Sequence, residues 1–217
     1  MKHLIPLLAF SFLIGCDGEK RNEPTGPNLK YRIKSDTVTI TGCGHKASGD
    51  LIIPDTIEGN PVTSIGDDAF RFCTSLTSIT IGNGVTSIGY AAFQGCTSLT
   101  SIKIPDSVTS IGPSTFYGCQ SLTSITIPDG VTSIGGADFA NCQSLTSITI
   151  PDSVISIGIN AFYGCTSLTA VTFLGDAPKI SNDAFNESSP TIYREPDAKG
   201  WGDTLAGRPV KLITAKP

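Results

Sequence analysis

From Val62 to Tyr193 the apolar positions of this chain recur every 23 residues, not with the period of a single helix or strand. Ile65, Ile88, Ile111, Ile134, Ile157 and Ile180 stand in phase, and so do Phe70, Phe93, Phe116, Phe139, Phe162 and Phe185. Leu76, Leu99, Leu122, Leu145 and Leu168 form a third column, and Ile79, Ile102, Ile125, Ile148 and Val171 a fourth. A fixed period of this length means one supersecondary unit stacked on copies of itself. Within a unit, Leu99-Thr100-Ser101-Ile102-Lys103-Ile104 alternates apolar and polar with β-branched residues, which predicts a short strand. Pro105-Asp106 ends it in a turn, Val108 to Ile111 gives a second extended piece, and Gly112 closes that.

The stretch from that glycine to the cysteine has room for about one to two helical turns. It ends on Gly95, Gly118, Asn141 or Gly164, residues that accept a left-handed stop, while Phe72 in the first unit is an exception. The predicted unit is therefore strand, turn, short strand, corner and brief helical or 3-10 turn, the last on the side opposite the main parallel sheet. Coils should stack about 4.8 Å apart. The chirality of parallel crossovers favours a right-handed winding.

Written out, L-x-x-I-x-I followed by P-D-x-V-T-S-I-G-x-x-A-F-x-x-C resembles the BspA-like leucine-rich repeat family of bacterial surface proteins, over roughly Asp50 to Tyr193. The resemblance implies a β-rich leucine-rich-repeat solenoid in a secreted or surface-attached binding protein, and brings no catalytic residue with it. Five full repeats span 62–176. Ahead of them, 30–61 reads as an N-terminal β cap, with extended segments at Lys30 to Lys34, Val38 to Thr41 and Leu51 to Ile53. Behind them, 177–217 is a degenerate repeat and C-terminal cap: Ile180 and Phe185 are kept, but Ser188 replaces the cysteine, and Trp201 is expected to cover the last coil.

The N-terminus has the layout of an export signal: Lys2, an apolar run from Leu4 to Ile14, then Gly15 before Cys16. Residues 1–15 read as the signal peptide, and Leu13-Ile14-Gly15-Cys16 resembles a bacterial lipobox with Cys16 as the lipidated residue. Residues 16–29 are then a flexible tether, charged and rich in proline and glycine. The expectation is a protein exported and lipid-anchored to the bacterial cell envelope, its membrane contact made through the lipid.

Charge and composition narrow the function. The 217 residues carry a net charge of −4 with only 16% charged residues, and Arg71 and Lys103 are the cations within the repeats, so no basic face is offered to nucleic acid. Asp67, Asp68 and Asp138 are too far apart along the repeats to form one cation site. The in-phase Cys73, Cys96, Cys119, Cys142 and Cys165 lack the close spacing of a metal site. Ladder neighbours about 4.8 Å apart also miss the roughly 3.8 Å and convergent vectors of a disulfide. They are read as a structural ladder of buried thiols. Cys43 and His45 share a glycine-rich loop to which no role is assigned. With no nucleophile motif, phosphate loop or acid–base pair, the chain reads as a non-enzyme without cofactors.

What remains is the outward side of the main sheet: Ser78, Thr80, Ser101, Lys103, Ser124, Thr126, Ser147, Thr149 and Thr172. Hydroxyls at regular spacing on a parallel ladder can bind a protein strand or a glycan, and are equally what a soluble β-face uses for its own pairing. A monomeric binding or adhesion protein is the leading reading. A passive structural spacer of the envelope is the alternative, and an ice-binding protein a third, against which Lys103 counts.

Overall fold

The computed structural model describes residues 29–43 and 47–213. Cys16, with the leader and the tether up to residue 28, and His45 lie outside the described residues. The chain winds as a β-solenoid of about seven turns at 23-residue spacing. On one side Gly49–Ile53, Leu76–Ile81 and Ser101–Lys103 pair in parallel, and further along Ser147–Ile150, Ala170–Phe173, Thr191–Arg194 and Arg208–Leu212 do the same. On a second side run Thr37–Cys43, Asn60–Ile65, Ser87–Ile88 and Ser110–Ile111, then Ser133–Ile134, Ser156–Ile157 and Lys179–Ile180. The register follows the sequence period: Ile79 pairs with Ile102, Ile148 with Val171 and Ile65 with Ile88. Each apolar residue therefore covers its own equivalent in the next coil.

Both ends are closed. Leu29–Lys34 pairs antiparallel with Thr37–Cys43 around Ser35 and Asp36, whose φ values of 49° and 57° are the left-handed pair that matches a hairpin to the twist of its strands. Its exposed Lys30, Arg32 and Lys34 put charge along the free edge, which discourages further strand pairing. At the far end the Trp201 ring lies edge-on to Phe173 at 5.1 Å, and its Nε1–H donates to the Gly175 carbonyl at 3.3 Å.

The expected helical turns are not formed: the described residues contain turns and strands but no helix. The cause is where the N–H groups go. Ala91 donates to the Pro113 carbonyl, Phe93 to Thr115 and Gly95 to Tyr117, so alternate N–H groups of the corner bond across to the next coil. Those between them close only single turns, Gln94 to Ala91 and Cys96 to Phe93, that never run on into a helix. Two left-handed residues per corner make this possible. One is the foreseen stop (Gly95, Gly118, Asn141, Gly164), and the other is a non-glycine residue four earlier, such as Ala91 at φ 51° or Ser114 at φ 60°. Phe72, the exception at the stop position, is also left-handed at φ 57°. Its ring covers Gly95, where any Cβ would collide with it.

Inside, Phe70, Phe93, Phe116, Phe139, Phe162 and Phe185 form one continuous stack with ring centroids 5.2–5.6 Å apart and planes within 13° of parallel. Burying each ring removes on the order of 150–250 Å² from water. The corner glycines permit this closeness: a Cβ on Gly89, Gly112 or Gly158 would lie within 2.7 Å of the preceding coil's backbone.

The stack is continuous, but the sheets are not. Ser101–Lys103 ends one sheet, and in the next coil Thr126 makes only an isolated bridge onward to Thr149. Ser110–Ile111 and Ser133–Ile134 likewise belong to separate sheets. At this seam Gly135 departs from its equivalents. Gly89, Gly112 and Gly158 donate to Ile65, Ile88 and Ile134, whereas the Gly135 N–H donates to Asp138 Oδ2 at 2.6 Å. Asp138 fills a slot that is alanine at 69, 92, 161 and 184, and it is buried. The corners still bond across the seam, from Ser114 to Gly136, Phe116 to Asp138 and Gly118 to Ala140.

Candidate functional site

The pleat of the main sheet turns alternate residues outward and sets their equivalents side by side. One outward row runs Ile52, Thr80, Lys103 on the first sheet and Thr126, Thr149, Thr172, Tyr193, Lys211 beyond the seam. A second pairs Asp50, Ser78 and Ser101, then Ser147, Ala170 and Thr191, with Ser124 exposed in the coil between. All nine sequence-derived face residues are thus brought onto one side of the molecule. Ser78 and Thr172 are half-buried, and the other seven are exposed.

Their hydroxyls are not equally available. Ser78 Oγ donates to Asp50 Oδ1 at 2.6 Å, with Thr77 Oγ1 on the same oxygen at 3.2 Å. Thr80, Ser101, Ser124, Thr126, Ser147 and Thr149 carry no side-chain hydrogen bond among the described residues. The neighbouring threonine column behaves differently: Thr100 Oγ1 donates to the Thr77 carbonyl at 2.9 Å, Thr123 to Thr100 at 3.3 Å and Thr169 to Thr146 at 3.1 Å. In these three coils one threonine therefore ties the coil to the one before it, while the outward hydroxyls beside it face solvent. The seam, Lys103, Ile52 (64% exposed) and Tyr193 break the even lattice that ordering of ice would use.

The cysteine ladder needs one correction. Cys73 is half-buried and disulfide-bonded to Cys43, which ties the N-terminal hairpin to the first corner. Its partner lies in the cap, outside the repeat, so the ladder argument from in-phase neighbours did not reach it. Cys96, Cys119, Cys142 and Cys165 are free and buried. Each Sγ donates to a phenylalanine carbonyl of the preceding coil: to Phe70 at 3.1 Å, Phe93 at 3.2 Å, Phe116 at 3.2 Å and Phe139 at 2.9 Å. Burial pushes the Cys96 and Cys165 thiols up to about 12 and holds Cys119 and Cys142 well above the ordinary thiol value. A thiol held protonated is a poor nucleophile and a poor metal ligand. Beyond the last thiol bond, Arg208 Nη2 donates to the Phe185 carbonyl at 2.8 Å. Ser188 donates to the same carbonyl from within its own coil at 3.1 Å.

The corner face carries exposed aromatic side chains at the variable positions of the repeat, of which only Phe72 stood out in the sequence. Phe72 is 62% exposed with the Arg71 guanidinium 5.0 Å from its ring centroid, and Tyr90 and Tyr117 are exposed. Asn141 Nδ2 donates to Tyr117 Oη at 3.2 Å, and a hydrogen bond to Glu187 raises the Tyr163 phenol. Among the described residues no group of three or more His, Cys, Asp or Glu could hold a metal ion.

Stacked parallel coils, an in-register apolar interior and asparagine- or glycine-stopped corners define a leucine-rich-repeat solenoid. Within that class the chain belongs to the BspA type leucine rich repeat family, whose model matches residues 63–192 in six copies. It is similar to the leucine rich repeat protein of T. pallidum, at 33% identity and a TM-score of 0.65, over 70% of this chain and 71% of that one. It is also similar to a leucine rich cell surface protein from Faecalibacterium prausnitzii, at 32% identity and a TM-score of 0.57. That alignment takes in 80% of this chain but just 55% of the F. prausnitzii protein. No curated protein matches the chain.

Proposed function

We propose that this protein is an exported, lipid-anchored binding or adhesion protein of the bacterial cell envelope, which holds an extended protein or glycan across several coils of its main sheet. The observation that carries the reading is the set of six hydroxyls, Thr80, Ser101, Ser124, Thr126, Ser147 and Thr149, lined up along one face and without internal partners. Equivalent positions recur at about 4.8 Å, so one weak contact per coil adds into a useful affinity. The surface setting draws on the similar F. prausnitzii protein, itself a cell surface protein, and on the lipobox-like residues ending in Cys16.

The test changes Thr80, Thr126 and Thr149 together to lysine in the full chain. These side chains are exposed, so stability should move by only about 0.5 kcal/mol per site. Partners retained by wild type from an envelope extract and a glycan array should be lost by the triple variant, with its melting curve unchanged. Undiminished capture by a folded triple variant places binding elsewhere. The anchor is checked separately: Cys16→Ser should abolish acylation in the intact mass, and a wild-type protein without acyl chains removes that part of the proposal.

A further inference from the structure

In so regular a repeat, departures from the column residue carry information. The column of Thr86, Thr109 and Thr132 continues as Ile155, and the column of Pro105, Pro128 and Pro151 continues as Leu174. Both replacements are large and apolar, and both face solvent, with Ile155 68% and Leu174 44% exposed. Neither is needed by the interior, which Val154 and Phe173 fill beside them. The two departures meet in one place. They line an open pocket of about 650 Å³ at the bend between Ala170–Phe173 and Lys179–Ile180.

The polar residues of that pocket have one dominant sign. Asp152, Asp176, Glu195 and Asp197 line it against a single cation, Lys179. Asp176 Oδ1 receives the Lys199 backbone N–H at 2.6 Å, which fixes that carboxylate in place. Asp152 and Asp197 are exposed and have no side-chain hydrogen bond among the described residues. An apolar seat beside an excess of carboxylates matches a ligand that is apolar and cationic at once. Neutral sugars would not use the charge, and an anionic polymer would be repelled by it.

We propose that this pocket is a second binding site, separate from the hydroxyl face, and that it takes a basic peptide segment. An aliphatic side chain of that segment lies against Ile155 and Leu174, while a lysine or arginine next to it meets Asp152 and Asp197. Because the preceding coils keep threonine and proline at these columns, and the following coil has Pro178 and Asp197 there, the apolar pair occurs once among the coils.

The experiment titrates the full chain into fluorescent pentapeptides and reads polarisation: Gly-Lys-Leu-Arg-Gly, the same peptide with glycine for leucine, and Gly-Glu-Leu-Glu-Gly. Saturable binding of the first, weakened at least tenfold in each of the other two and falling as salt is raised, is the expected result. Ile155→Thr combined with Leu174→Ser should lower that affinity at least tenfold. Asp152→Asn with Asp197→Asn, two exposed changes that leave the interior untouched, should lower it and flatten the salt dependence. The Thr80, Thr126 and Thr149 triple variant should bind the peptide as wild type does, which separates this site from the sheet face. The proposal is overturned by absence of saturable binding, by equal binding of the leucine-free peptide, or by undiminished affinity in the Asp152/Asp197 pair variant. Displacement of the peptide by calcium at equal potency in wild type and Ile155→Thr/Leu174→Ser would reduce the pocket to a cation-binding acidic rim and also overturn it.

Discussion

The seam between the coils of Ser101–Lys103 and Ser133–Ile134 differs from every other regular junction in what holds it. Elsewhere at least one strand ladder acts together with the corner bonds and the phenylalanine stack, and at most junctions a thiol bond joins them. At the seam both ladders lapse and the rest persist: Phe116 stacks on Phe139 at 5.5 Å, Cys142 donates to Phe116, and Ser114, Phe116 and Gly118 bond across. A coil junction in a solenoid is thus several parallel fastenings, and sheet pairing is the one that can be given up locally. Stability in such stacks is a sum of unit and nearest-neighbour terms, so the weakest junction decides whether the molecule unfolds as one body or two.

The largest effect is expected where the apolar fastening that persists at the seam is removed. Phe116→Ala deletes a fully buried ring and should cost about 3–5 kcal/mol. Phe93→Ala should cost a similar amount at a junction that keeps its ladders. The two variants should part in cooperativity: calorimetry is expected to show two transitions for Phe116→Ala and one for Phe93→Ala. A single transition in both would mean the lost ladders do not weaken the seam.

Next comes Asp138. Burial pushes its carboxyl up to about 7 despite the Gly135 and Thr115 N–H groups that favour the charged form. The folded chain therefore keeps this proton between about pH 4 and 7, where an unfolded aspartate has lost it. The stability tied to the proton is complete below the unfolded value and disappears as pH rises through the folded one. Asp138→Ala restores the residue of the neighbouring Ala92 and Ala161 slots and frees the Gly135 N–H for the Ile111 carbonyl. Relative to wild type, the variant should gain up to about 4 kcal/mol in urea unfolding on going from pH 4 to pH 8. A wild-type-minus-variant difference that does not change with pH would mean Asp138 does not hold a proton in the fold.

The smallest effect concerns the thiols. Cys119→Ser keeps a donor toward the Phe93 carbonyl in a smaller, more polar form and should cost about 1–2 kcal/mol. Native wild type should resist alkylation at Cys96, Cys119, Cys142 and Cys165, with all four labelled after denaturation without reductant. Native labelling at Cys142, whose bond to Phe116 spans the seam, ahead of the others would show that the seam opens to solvent.

The columns of isoleucine, phenylalanine and leucine were legible because each residue packs on its own copy, so period and contact are the same thing. The corners were legible only at their stop residue. Ala91 and Ser114 carry no compositional sign of a left-handed backbone, and the bonds that hold them there run to another coil. The Cys43–Cys73 bond was hidden for a related reason: Cys43 belongs to the hairpin, whose alignment on the first coil no repeat specifies. Asp138 was visible as an aspartate in an alanine slot, and that departure was the available signal of the seam. The hydroxyl face was placed from alternation alone, yet alternation could not say which hydroxyls the fold itself engages.

Near-identical coils raise the problem of order, since a chain whose units all fit one another could leave one out of the stack and close up. Thr115 and Asp138 occupy the alanine slot in consecutive coils, and the Thr115 N–H reaches Asp138 Oδ1 at 3.2 Å. The Thr115 hydroxyl meanwhile caps the Gly112 and Gly89 carbonyls at 2.5 and 3.1 Å. No other two neighbouring coils hold that pair, and a stack that skipped the Thr115 coil would set Asp138 beside Ala92, without the Thr115 hydroxyl and its bonds. The pair that sits where the sheets are interrupted therefore marks one junction among near-identical ones, giving an otherwise repetitive chain a fixed point from which its coils are counted.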